Sequence, residues 1–141
     1  MTDLRIAVRI ALLTALSLIL FLLEGLLPLP LPVPGAKLGL AALVTLVALY
    51  TLPHMRDAFL VLLLRILLAS FFGGGIAPML YSLAGGVLSF AAMALLKART
   101  QLSIVGISAV GGFLHNMGQL AVAAAVMQTD ALLIYAPVLG I

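Results

Sequence analysis

The chain has 141 residues, of which 65% are hydrophobic and 8% charged, with a formal net charge of +3 and no cysteine or tryptophan. Soluble domains are about half apolar and about a quarter charged. A water-soluble fold is therefore excluded, the dispersed charge without interleaved aromatics excludes a nucleic-acid surface, and the lack of cysteine excludes disulfide and thiol chemistry.

Lipid is the solvent this composition requires, and a spanning helix needs about 20 mostly apolar residues. Ile6–Leu27 is the first such run. Its length exceeds the roughly 7–15 apolar residues of a signal-peptide core, so it is a retained span. The connection "PLPLPVPGAKLG", Pro28–Gly39, follows. Its alternating prolines cannot donate the hydrogen bonds of a helix and favour a stiff extended chain. The second span is predicted over Leu38–Leu52, a turn over "PHMRD" at Pro53–Asp57, and the third span over Ala58–Phe72, closed by "GGG". The fourth is predicted over Ile76–Leu96, ahead of "KARTQ", and the fifth over Leu102–Met127. After "QTD", the tail "ALLIYAPVLGI" opens a sixth apolar run. It is about half a membrane thick at roughly 1.5 Å per residue. The expected fold is an all-α polytopic membrane bundle of five full spans plus a truncated sixth, one integral membrane domain over residues 1–141.

Orientation follows from lysine and arginine in the connections. Arg5, Arg9, Arg56, Lys97 and Arg99 fall on one side, and Lys37 alone falls on the other. The amino terminus is thus expected in the cytoplasm of a multi-pass cell-membrane protein, with the proline-rich loop outside.

The few polar residues inside these spans carry the functional signal. Arg65 sits mid-span in "VLLLRILL", where arginine costs about 2.5–3.5 kcal/mol on insertion scales. It pairs structurally with Glu24 or with backbone carbonyls, or it meets an anionic substrate, and the two roles can coexist. Snorkelling is the weakest reading, because Arg65 is centred in its span. Glu24 lies near the outer end of the first span, where pairing within the protein accounts for it. In "SAVGGFLHNMGQLAV", Ser108, Gly111, Gly112, His115 and Gln119 recur at three- and four-residue spacing and share one helix face. Asn116 lies about 100° around at helical spacing. Helix packing through small residues explains this stripe without a ligand. His115 has no second histidine or cysteine at ligand spacing, so no metal site is expected. Ser82, Gly85, Gly86 and Ser89 form a second small-residue stripe, and Ala7, Ala11 and Ala15 a third. Glu24 is half a turn from the alanine stripe, so one face of the first helix can dock on a partner while the other turns Glu24 inward. Glu24, Arg65, His115, Asn116 and Gln119 are the candidate substrate-binding residues, set at mid-depth or in the outer half among apolar walls.

The segments "PLPLPVPGAKLGLAALVTLVALY", "LLRILLASFFGGG", "LYSLAGGVLS" and "GGFLHNMGQLAVAA" resemble, in order and spacing, the Gx transporter family, which also carries the description heptaprenyl diphosphate synthase component I. The likeness runs from about Ala11 to Leu139. That family looks like the six-helix substrate-binding S components of energy-coupling-factor transporters. The resemblance implies that Ala7, Ala11 and Ala15 contact a transmembrane coupling subunit. Two departures stand out: Ala42, in "LGLAALVTL", occupies a position where the family often has asparagine, and the sixth helix is incomplete.

Two functions of different class follow. One is a substrate-binding subunit that captures a small solute and works with a coupling subunit and separate ATPases. The chain itself has no G-x-x-x-x-G-K-[ST] phosphate loop. The other is a membrane accessory component of heptaprenyl diphosphate synthase in isoprenoid and menaquinone synthesis. Prenyl transfer needs Mg²⁺ held by clustered carboxylates and phosphate oxygens, whereas the acids Asp3, Glu24, Asp57 and Asp130 are isolated from one another. The chain is therefore expected to be non-catalytic, without a cofactor of its own.

Overall fold

The computed structural model describes residues 3–27 and 39–128. Five helices follow one another: α1 over Asp3–Leu26, α2 over Leu40–Thr51, α3 over Met55–Ala69, α4 over Ile76–Arg99 and α5 over Ile104–Met127. No strand occurs among the described residues. α1, α4 and α5 have 24 residues each and are long and apolar enough to cross a membrane. α2 has only 12 residues and α3 has 15. The expectation of five full spans is corrected here, because three helices meet the length of a crossing. α3 runs directly into a π-helical turn, Ser70–Gly74, where the Gly75 N–H donates to the Ser70 carbonyl at 3.2 Å. Gly75 then takes a φ of 70° and ends the run. The proline-rich connection to position 38 and the sixth apolar run lie outside the described residues.

The helix ends show why boundaries moved. α3 starts at Met55, inside the expected "PHMRD" turn, because Asp57 suits a first helical turn with its free N–H groups. α4 extends through Lys97 and Arg99, cations that favour a carboxyl-terminal turn. α5 starts two residues later than expected. Ser103 caps it, its Oγ accepting from the Gly106 N–H at 3.2 Å.

The bundle is apolar on its outside. Leu12 is 65% exposed and Val105 78%, and such a surface is stable only against lipid or another protein. Inside, Leu46, Leu49, Val61, Met93 and Ile107 form a core shared by α2, α3, α4 and α5. A smaller cluster joins Phe21, Ala41 and Ala69. α1 lies against α2 and α3, and α4 pairs most intimately with α5.

Glycine makes that last pairing possible. A Cβ on Gly85 would come within 2.5 Å of the His115 carbonyl oxygen, and one on Gly118 within 2.7 Å of the Gly85 Cα. The two backbones therefore touch, as small residues allow in membrane helices. At the other end of α4, the Lys97 ammonium donates to the Leu49 carbonyl at 2.5 Å and lies 4.6 Å from the centre of the Tyr50 ring. The Leu49 carbonyl belongs to the last turn of α2, where oxygens lack intrahelical donors. Lys97→Met is expected to lower the unfolding midpoint in detergent by an amount equivalent to about 1 kcal/mol. An unchanged midpoint would show this contact to be idle.

Candidate functional site

α1 and α2 fix the first part of the site. Ser17 on α1 donates to the Ala41 carbonyl at 3.2 Å, so the start of α2 is level with the middle of α1. From Ser17 the first helix runs on to Leu26, nine residues or roughly 14 Å. The amino terminus of α2 is thereby set against α1 and half-buried, with first-turn N–H groups that have no intrahelical partner. Gly39, at φ 82° and ψ 24°, brings the chain into that turn.

Glu24 meets those groups. Its Oε1 accepts from the Gly39 N–H at 2.5 Å and from the Leu40 N–H at 3.4 Å. Its side chain is 4% exposed. Glu24 points back toward the amino end of α1, as helical side chains do, and so reaches a helix start well below its own level. A carboxylate is the favoured partner there, because the helix dipole adds to the two hydrogen bonds.

Arg65 approaches from α3 and is 2% exposed. Its guanidinium lies 6.0 Å from the centre of the Phe21 ring. It interacts electrostatically with Glu24 and with His115. Nε and Nη2 are buried and find no hydrogen-bond partner among the described residues. These two nitrogens form one edge of the guanidinium, the fork that takes two oxygens of a carboxylate or phosphate side by side.

α5 supplies the far wall. His115 is buried, and its Nε2 is 3.2 Å from Nε2 of Gln119 one turn on. Gln119 and Asn116 are half-buried. Glu24, Arg65 and His115 thus converge from three helices, with Gln119 joined to them through His115. Asn116 lies on the adjoining flank. No three His, Cys, Asp or Glu side chains come together in metal-binding geometry among the described residues.

The small-residue stripe of α5 is rotated from the expected one. Gly111, His115 and Gly118 face inward, whereas Gly112 is exposed. Gly118 escaped notice in the sequence, although it continues the three-and-four spacing from Gly111 and His115. Ala7, Ala11 and Ala15 all lie on the exposed side of α1, opposite the buried Thr14, Ser17, Phe21 and Glu24.

A model of the family described as heptaprenyl diphosphate synthase component I matches residues 13–141. The chain belongs to that family. Neither the curated proteins nor the solved structures contain a match to it. The matched range takes in Glu24, Gly39, Arg65 and His115 and, on α1, Ala15 but neither Ala7 nor Ala11.

Among the described residues of this family member, two recesses border α2, α4 and α5. One, of about 200 Å³, lies between the start of α2 and the middles of α4 and α5, and Ala42 is in its wall. The other, of about 600 Å³, is a wide groove lined by Leu80, Leu83, Val87, Leu88 and Val122, apolar along its length.

Proposed function

We propose that the chain is a non-catalytic integral membrane subunit that supports heptaprenyl diphosphate synthesis, crossing the membrane several times with its amino terminus in the cytoplasm. The family match over residues 13–141 carries this reading. The chemistry of prenyl transfer belongs to a partner, because Mg²⁺ and diphosphate need clustered carboxylates. The four acids of this chain are dispersed, and Glu24 is committed to the backbone of α2. The bundle end bearing Arg5, Arg9, Arg56, Lys97 and Arg99 is then the cytoplasmic one, and it is the surface a soluble prenyltransferase would meet. Affinity purification from gently solubilised membranes tests this. A soluble prenyltransferase is expected with the tagged chain. Recovery of a membrane coupling subunit and ATPases in its place would overturn the reading.

A second reading is favoured by the fork edge of Arg65, which meets no hydrogen-bond partner among the described residues. In it the chain is the substrate-binding subunit of a small-solute transporter powered by a separate ATPase module. Arg65 holds an anionic group of the solute, His115, Asn116 and Gln119 orient it, Glu24 sets the start of α2, and the face of Ala7, Ala11 and Ala15 docks on a coupling subunit. Arg65→Leu is expected to insert normally and to lose, at least tenfold, the small molecule retained by gently purified protein, read by mass spectrometry. Retention at the wild-type level would remove Arg65 from any such site.

A further inference from the structure

The recess of about 200 Å³ borders the Glu24 cap, because Gly39 and Leu40 line it, but the side chains of Glu24, Arg65, His115, Asn116 and Gln119 are not among its lining residues. Its floor is Ser89 and Met93 of α4 with Gly111 of α5, all buried. Ser89 is 2% exposed, and its Oγ finds no hydrogen-bond partner among the described residues. A buried hydroxyl left in that state carries a cost that a ligand atom relieves. Ser108 adds a second hydroxyl to the wall. The mouth lies at Gly112 and Leu43, which are exposed.

Gly112 is the informative residue. Gly85, Gly111 and Gly118 are each required by a close neighbour, but a Cβ on Gly112 would meet nothing within 4 Å. Glycine is the poorest helix former after proline, and among the described residues no close neighbour calls for it here. Its effect is to keep the mouth of the recess open.

We propose that this recess is a binding site for a small uncharged amphipathic molecule, a compact ring or branched chain bearing one hydroxyl or carbonyl. Among the described residues no charged side chain lines it, which disfavours an ion. Most of the wall is apolar, and the hydroxyls of Ser89 and Ser108 provide a donor and acceptors at one side. The size fits, because a dry cavity of about 150 Å³ accommodates benzene, so this one holds a ring with a substituent.

The test uses 4-fluorophenol as probe, with 4-fluorotoluene as its match lacking the hydroxyl, followed by fluorine NMR on the full chain in detergent. Wild type is expected to bind 4-fluorophenol saturably and 4-fluorotoluene several-fold more weakly. Gly112→Leu, whose Cβ meets no described neighbour within 4 Å, is expected to weaken 4-fluorophenol at least tenfold while keeping the wild-type unfolding midpoint in detergent. Ser89→Ala is expected to bring the two probes to equal affinity. The same binding in wild type and Gly112→Leu would mean partition into detergent and would overturn the site. Loss in Gly112→Leu with no change in Ser89→Ala would overturn the assigned hydroxyl chemistry.

Discussion

Glu24→Ala is expected to cost about 3–5 kcal/mol of stability, the range for removing one partner of a buried charged pair. Two losses coincide in this one substitution. The half-buried N–H groups of Gly39 and Leu40 lose their acceptor, and Arg65 loses its electrostatic interaction with Glu24 while staying buried. Glu24→Gln separates the two. Its amide oxygen still caps α2, so the hydrogen-bond share returns, and the variant is expected roughly midway between alanine and wild type. Arg65→Leu placed on Glu24→Ala should lose less than the sum of the single changes, because the uncompensated charge disappears with the guanidinium. Unfolding midpoints in detergent report all four proteins. A Glu24→Ala midpoint within about 0.5 kcal/mol of wild type would show that Glu24 neither caps α2 nor balances Arg65.

The second large effect is expected where α4 crosses α5. Gly85→Ala and Gly118→Ala should each cost about 3 kcal/mol, the upper end for overpacking a close contact. In both the new methyl group meets backbone: the His115 carbonyl in one case, the Gly85 Cα and Ala84 oxygen in the other. Backbone in a packed helix cannot yield without separating the pair. Gly111→Ala should be milder, about 1–2 kcal/mol, because its Cβ would meet the flexible end of Met93. Gly112→Ala should gain up to about 1 kcal/mol, since alanine favours a helix and open space receives it. Chemical unfolding in mixed micelles gives this order directly. Equal effects at the four glycines would mean that the two helices do not approach as closely as described.

These predictions also mark how far the linear chain can be read. An arginine among seven aliphatic residues has to turn from lipid, and Arg65 does so because exposure there is costly. Helical periodicity puts Glu24 half a turn from Ala15 and away from Ala7 and Ala11, and the one is buried while the others are exposed. The stripe Ser82, Gly85, Gly86 and Ser89 is buried for the same reason.

Other features belong to the three-dimensional arrangement. Gly111 and Gly112 are equivalent by composition and adjacent in sequence, yet one packs under Met93 and the other borders a recess. About 100° of rotation divides them, and only the neighbouring helices decide which points inward. The partner of Glu24 is a backbone amide 15 residues away, and a backbone group carries no side-chain signature by which it could be found. Composition and periodicity by themselves determined the lipid-facing, all-helical character and the inward turn of the charged residues, because transfer energy acts on each residue separately. The tertiary structure alone decided which groups meet, since close approach depends on how several helices pack at once.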